Sequence, residues 1–277
     1  MVRIVSDTST MYSTTQAKEA GFTVSPLTVT IAGKTYREYD EIDSKTFVSI
    51  IQQGHMPTSS QPAIGQVEEV YRSFPGDQVL NIAMAHGLSG TYQSAVAAAE
   101  LCEDCDVTVI NSRTLCGPHR FIVERAVKMA KAGMSLDEIV TRVNAMMDSA
   151  KSYLIPADFG YLRRGGRLSP LVAHVGQVAH LAPVMTQTDD GTQLTVASIR
   201  RGFANAFKYV RKALEERGVG DGWHIFIAHG DSPSTADLAH KIISEGFPTA
   251  DIQVLPLSPA FITQGGPGCV AIQIVRD

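Results

Sequence analysis

Apolar positions along the chain switch between two spacings: short runs of strand character, and longer stretches with an apolar residue every third or fourth position. Residues 2–5 form a β-rich run that ends in the polar segment Ser6-Asp7-Thr8-Ser9-Thr10. A run of that kind at the start of a chain enters a sheet. Residues 28–36 read as a hairpin turning at Gly33-Lys34. Residues 43–53 follow helical spacing, with Asp43 or Ser44 as N-cap and Gly54 as stop. Residues 57–62 read as a polar loop and 66–74 as a short amphipathic helix. The clearest unit spans 78–110: a strand at 79–83, a loop at 84–89, an Ala-rich helix at 90–101 and a strand at 107–110. That order and length fit a βαβ crossover, so the two strands run parallel. Helices at 118–131 and 136–149 follow, separated by Gly133, the second capped by Ser135.

The pattern shifts at Lys151-Ser152-Tyr153-Leu154-Ile155-Pro156, which places a domain boundary between 1–151 and 152–277. Beyond it the chain reads as a helix at 158–163, a basic turn at 163–167, and a helix from about Pro170. Strands at 182–187 and 192–198, a helix at 203–216, a strand at 223–228, a helix at 233–245 and strands at 252–256 and 269–275 complete it. The expected class is α/β in two domains: an N-terminal parallel sheet with helices on both faces, then a C-terminal mixed sheet.

Composition narrows the picture. With 277 residues, 44% hydrophobic and a net charge of -4, the chain can bury a large core, which excludes intrinsic disorder. The slight acidic excess argues against broad nucleic-acid binding. Residues 171–185 are apolar-leaning but contain His174, Gln177, His180 and Pro183, too polar and too short to span a bilayer. No apolar leader follows Met1-Val2-Arg3, so the expected compartment is a reducing cytoplasm. There the four cysteines read as small semi-buried thiols rather than a disulfide framework. Cys102-Glu103-Asp104-Cys105 followed by Cys116 and His119 suggests metal, but an intervening strand would part the pairs by well over ~10 Å. His174 and His180, six apart, share no helix face and read as structural.

Four loops suit chemistry at the carboxyl edge of a sheet: Asp7-Thr8-Ser9-Thr10, Thr58-Ser59-Ser60-Gln61-Pro62, Gly87-Leu88-Ser89-Gly90-Thr91 and Gln264-Gly265-Gly266-Pro267-Gly268. They offer hydroxyls and backbone N–H groups, so an anionic oxygen is the natural guest. Ser89 is not in a nucleophile elbow, because the second glycine of G-x-S-x-G comes one place early. His229 with Asp231 is the one tempting pair for a triad. No P-loop occurs, and no G-x-G-x-x-G follows a strand, so nucleotide cofactors have no support. Arg163-Arg164-Gly165-Gly166-Arg167 is the densest basic segment, shaped by two glycines to present a guanidinium to phosphate or to an acidic partner.

Taken together, Asp7-Thr8-Ser9, Ser59-Ser60-Gln61-Pro62, Leu88-Ser89-Gly90-Thr91-Tyr92-Gln93-Ser94-Ala95, Tyr161-Leu162-Arg163-Arg164-Gly165-Gly166-Arg167-Leu168-Ser169 and Gly266-Pro267-Gly268 occur in the order of the DegV family, and the chain resembles that family over essentially its whole length. The resemblance implies a two-domain α/β protein that holds one long-chain fatty acid between its domains, without catalytic activity or a cofactor of its own. It implies a separate kinase subunit, related to dihydroxyacetone kinases, that phosphorylates the presented carboxylate to an acyl phosphate. It implies no integral membrane segment, only transient membrane contact for lipid exchange. By the same resemblance Ser89, Ser59, Ser60 and Arg200 meet the carboxylate, with Gly90, Thr91, Gln264 and Gly265 beside them. Arg163, Arg164 and Arg167 would dock the kinase. Two positions depart from the family pattern: Gln264-Gly265 stands where His-Thr is common, and Asn111 where Asp is common. Two other readings stay open: a carrier or sensor of another apolar anion, and a stand-alone phosphotransferase or hydrolase.

Overall fold

The computed structural model describes residues 1–170, 172 and 181–277. The chain forms two compact units, Met1–Asp148 with Ser258–Ala260, and Ser149–Leu257 with Phe261–Asp277. The helix expected from Pro170, with His174 and His180, lies outside the described residues.

In unit 1 the elements are β1 (Val2–Asp7), α1 (Thr14–Ala20), β2 (Thr23–Ser25), β3 (Thr28–Ile31), β4 (Lys34–Arg37), α2 (Ser44–Gln52), β5 (Thr58–Ser60), α3 (Ile64–Arg72), β6 (Gln78–Ala83), α4 (Thr91–Leu101), β7 (Asp106–Asn111), α5 (Cys116–Lys131) and α6 (Leu136–Ser149). The main sheet has the order β2-β1-β6-β7 and is parallel throughout. Central β6 is buried from Val79 to Ala83 because helices cover both faces. The period-two alternation of β1 shows this directly. Val5 packs with Val67 and Tyr71 of α3 and Ala95 and Ala98 of α4. Ser6 points the other way, toward His119 of α5. Buried Asn81 donates to the Tyr71 hydroxyl at 2.6 Å, and that hydroxyl donates to the Ala95 carbonyl, tying β6 to α3 and α4.

The βαβ crossover and the α5 and α6 helices match expectation. Three local readings need correction. The hairpin turns at Ala32-Gly33, one place earlier than expected, since Ile31 pairs with Lys34 and both turn residues have positive φ. Gly33→Ala is expected to lower unfolding stability by about 1 kcal/mol in urea titration, because φ of 77° is strained for a side chain while the space around it is open. Residues 57–62 are not all loop: β5 pairs antiparallel with β3, completing a small sheet of order β4-β3-β5. Helix α1 and strand β2 carry no sequence expectation; a capping box at Ser13 and Gln16 starts α1.

Unit 2 contains β8 (Lys151–Ile155), α7 (Phe159–Gly165), β9 (Leu181–Gln187), β10 (Leu194–Arg201), α8 (Gly202–Glu216), β11 (Trp223–His229), α9 (Pro233–Ser244), β12 (Asp251–Pro256) and β13 (Val270–Arg276). Helix α10 (Pro259–Gly265) begins among the residues grouped with unit 1 and ends in unit 2. The sheet order is β10-β9-β8-β13-β11-β12, with only β11 and β12 parallel. Tyr153, Val184, Ile225 and Ile272 pack one face against Phe207 of α8 and Ile243 of α9. Leu154 and Met185, next in alternation, turn to Phe159 and Leu162 of α7 on the other face. The expected basic turn is corrected here: Arg163 and Arg164 form the last turn of α7, which stops at Gly166 in the left-handed region. Gln264 and Gly265, read as loop, close α10.

Candidate functional site

Parallel pairing brings the carboxyl ends of β1, β2, β6 and β7 to one edge of unit 1, the edge where α/β sheets hold ligands. The loop that follows β1 on this edge is already committed. Asp7 Oδ1 accepts from Ser9 N–H at 2.9 Å and Oδ2 from Met84 N–H at 3.0 Å. Thr10 Oγ1 donates to the Asp7 carbonyl. Asp7, Thr8, Ser9 and Thr10 are all buried. The expectation of an anion site at this loop is therefore corrected: its polar groups hold the chain together, and an added anion would meet the Asp7 carboxylate.

A hydroxyl–imidazole pair lies beneath it. Ser9 Oγ stands 2.6 Å from His119 Nδ1, and His119 Nε2 stands 2.9 Å from the Ile82 carbonyl. A carbonyl only accepts, so Nε2 carries the proton and Nδ1 accepts from Ser9. Burial pushes the His119 pKa down, against the nearby Asp7 charge. Both side chains are shut from solvent, so no substrate reaches them. Glu38 is buried as well. Its Oε1 accepts from Thr8 Oγ1 at 2.5 Å and its Oε2 from Ala260 N–H at 2.9 Å. Burial above all, with the Asp7 charge added, pushes its carboxyl up to about 7, against the lowering effect of those hydrogen bonds and one from Ser258. Nothing in the sequence marks Glu38, and His119 is marked only by its spacing from Cys116.

The Ser89 loop is half-buried by contrast, and Thr91 at its end is buried. Leu88 and Ser89 N–H groups close a turn on the Ala85 carbonyl. Ser89 Oγ lies 2.8 Å from Thr91 Oγ1 and accepts from Thr91 N–H at 3.3 Å. Ser94 N–H to the Gly90 carbonyl starts α4. Two hydroxyls thus meet at the N-terminus of an eleven-residue helix with no acidic residue in its first turn. The helix end adds partial positive charge, so the local chemistry suits a carboxylate. Only one hydrogen separates the two hydroxyls, which leaves the other free to turn to a guest oxygen.

Unit 1 also brings β5 to this loop. A Cβ at Gly90 would sit 3.0 Å from the Gln61 carboxamide, directly after Ser60. The strand does not present both serines alike. Ser59 pairs with buried Val29 and shares its face, whereas Ser60 pairs with Thr28 on the opposite face. Adjacent strand residues point apart, so the side chains of Ser59 and Ser60 lie on opposite faces of this small sheet.

In unit 2 the glycines bring two further motifs together. Gly165 lies directly under the Gln264 side-chain oxygen, and a Cβ at Gly266 would sit 2.7 Å from the Tyr161 ring. The end of α7 and the end of α10 are thus in contact. Arg163 and Arg164 are exposed, and Arg164 lies over the Tyr161 ring at 4.6 Å. Arg167 donates to the Gly165 carbonyl. Arg200, on β10, is exposed and covers the Tyr209 ring at 4.7 Å.

The triad reading fails on hydrogen bonding. His229 Nδ1 accepts from Ser232 N–H at 3.1 Å, so the position an orienting carboxylate would take is filled and the ring proton sits on Nε2. Among the described residues no group of three or more His, Cys, Asp or Glu is placed to hold a metal. The cysteine expectation is corrected in part. Cys105 N–H donates to the Cys102 carbonyl, and the resulting turn brings their Cα atoms to 5.4 Å, where they form a disulfide. Cys116 and Cys269 are buried thiols outside any disulfide, and burial pushes the Cys269 thiol up to about 12. No helix among the described residues is long and apolar enough to cross a membrane.

A parallel α/β unit with a hydroxyl-bearing loop at its carboxyl edge and a second unit built on a mixed sheet define a two-unit α/β protein. Residues 1–277 match the family model described as "Uncharacterised protein, DegV family COG1307", and the chain belongs to the DegV family. Among curated relatives it is 29% identical to the DegV domain-containing protein YteA of Lactococcus lactis, over 98% of this chain and 96% of that one. It is 27% identical to a DegV domain-containing protein of Staphylococcus aureus, over 99% and 98%. Among solved structures, a DegV family protein from Thermus thermophilus described as fatty acid binding superposes with a TM-score of 0.89 at 25% identity, covering 100% of this chain and 99% of that one. One from Eubacterium eligens, loaded with heptadecanoic acid, superposes at 0.85 with 21% identity and full coverage of both chains, a likeness of fold.

Proposed function

We propose that this protein binds one long-chain fatty acid, with the carboxylate held by hydroxyls of the Ser89 loop, and presents it to a separate kinase subunit for acyl-phosphate formation. The observation that carries the reading is the pair of hydroxyls, Ser89 and Thr91, at the N-terminus of α4 with Ser59 on the neighbouring strand. The fatty acid binding described for the Thermus thermophilus relative supports the ligand class. A buried carboxylate needs such donors, and each buried CH₂ adds about 0.8 kcal/mol of gross affinity. Gly90, Gln264, Gly265 and Arg200 are assigned to the same ligand end. Arg163, Arg164 and Arg167 are assigned to the kinase: the exposed guanidinium groups of Arg163 and Arg164 suit phosphate or an acidic partner, and half-buried Arg167 follows them at the end of α7. The protein has no catalytic role of its own in this reading and works in the cytoplasm, with transient membrane contact for lipid exchange.

Native mass spectrometry of the freshly purified protein, followed by solvent extraction, tests the ligand class. One bound fatty acid per chain is expected. An empty protein that also ignores added palmitate, or a bound molecule that is not a fatty acid, overturns it. Trapping acyl phosphate with hydroxylamine tests the second half. Product is expected only when a dihydroxyacetone-kinase-like subunit and ATP are both added, and product from this chain with ATP alone would make it an enzyme.

A further inference from the structure

Asn111 ends β7 and pairs in register with Ala83 of β6, which sets its carboxamide beside the 84–91 loop. Its Oδ1 accepts from the backbone N–H of His86 at 3.2 Å and of Arg113 at 3.0 Å. Two donors on one atom identify that atom as the oxygen. The other atom, Nδ2, therefore faces His86 Nδ1 at 2.7 Å. An amide nitrogen only donates, so Nδ1 accepts, bears no proton, and the ring proton lies on Nε2. The imidazole is further held edge-on to Tyr92 at 6.2 Å, in the first turn of α4 next to Thr91. His86 is exposed and lies three residues before Ser89 on the same loop.

We infer that His86, fixed in its Nε2–H tautomer by Asn111, is a hydrogen-bond donor to the ligand's carboxylate alongside Ser89 and Thr91. This rests on the reading of the Ser89 loop as the carboxylate site. A carboxylate has two oxygens, and the coupled hydroxyls of Ser89 and Thr91 offer one outward donor between them. The Nε2–H adds a donor from the same loop for the second oxygen. Asn111 sets which ring nitrogen carries that donor. An Asp at this position would present only acceptors and would draw the ring proton to Nδ1. Asn111 keeps the ring's donor on the far nitrogen.

Nitrogen-15 long-range correlation spectra of the whole protein read the tautomer directly. The His86 ring is expected as Nε2–H at pH 7.5, and Asn111→Asp is expected to move the proton to Nδ1. Calorimetric titration with palmitate is expected to show a Kd raised roughly tenfold in His86→Ala and partly restored in His86→Gln, which keeps an N–H donor. An Nδ1–H tautomer in the parent overturns the inference. So does an unchanged palmitate Kd in His86→Ala, and the Ser89→Ala variant then tells which idea has failed. If Ser89→Ala weakens binding while His86→Ala does not, the loop remains the carboxylate site without His86. If neither changes the Kd, the head-group reading falls as well. Circular dichroism of each variant checks that the fold is retained.

Discussion

Replacing Ser89 by Ala is expected to raise the Kd for a long-chain fatty acid by roughly ten- to hundredfold, the range set by losing a hydrogen bond to a charged group. The hydroxyl has two roles. It accepts from Thr91 N–H at 3.3 Å, and it shares a hydrogen with Thr91 Oγ1 at 2.8 Å. Its loss removes one donor from the carboxylate and releases Thr91 Oγ1 from the position that aims it. The fold should suffer much less, by about 1 kcal/mol, since the first turn of α4 is still closed by Ser94 N–H to the Gly90 carbonyl. The acyl chain is untouched, so the gain per added CH₂ along a series from C12 to C18 should stay the same in parent and variant. Titration calorimetry across that series separates the two terms. A parallel offset between the two lines is expected; superposed lines would remove Ser89 from the head-group site, and a changed slope would place it along the acyl chain.

The βαβ crossover was legible because apolar run, Ala-rich helix and second run follow one another within 78–110, and local spacing alone specifies each. Ser89 was legible because a motif marks it at a helix start. Other features depend on partners distant in sequence. β5 has no apolar alternation, and Thr58, Ser59 and Ser60 form a strand only because β3 pairs with them. α10 is a seven-residue run whose apolar residues fit strand, loop or helix equally well. The contact between Asn111 and His86 spans 25 residues and arises only when β6 and β7 align. The opposite orientation of Ser59 and Ser60 likewise follows from a pairing that residues 57–62 do not signal. Glu38 is the extreme case. It stands in a polar stretch that reads as solvent-exposed, yet its carboxylate accepts from a backbone N–H 222 residues away.

That burial sets the second large effect. The carboxyl of Glu38 holds its proton to about pH 7 in the folded protein, against the ordinary glutamate value of 4.5 that applies to the unfolded chain. Between those values the native state binds more protons than the unfolded state, so this residue makes stability fall as pH rises from 4.5 to 7 and adds no slope above. At about 1.4 kcal/mol per pH unit the full decline is about 3.5 kcal/mol. Glu38→Gln is expected to abolish this component. Its carboxamide oxygen can accept from Ala260 N–H, and its NH₂ can donate to Thr8 Oγ1, which already accepts from Leu27 N–H at 3.0 Å. The variant should therefore match the parent near pH 5 and exceed it by about 1–3 kcal/mol at pH 8. Glu38→Leu should lose about 2–4 kcal/mol near pH 5, because the buried Ala260 N–H and Thr8 hydroxyl are left without that acceptor. His119 works in the opposite sense, since a lowered histidine pKa makes stability rise with pH toward 6.5. The parent's own pH profile mixes the two, and the difference between parent and Glu38→Gln in urea unfolding from pH 5 to pH 8 isolates Glu38. A difference that stays constant across that range would mean Glu38 is ionised throughout, with its three hydrogen bonds outweighing burial.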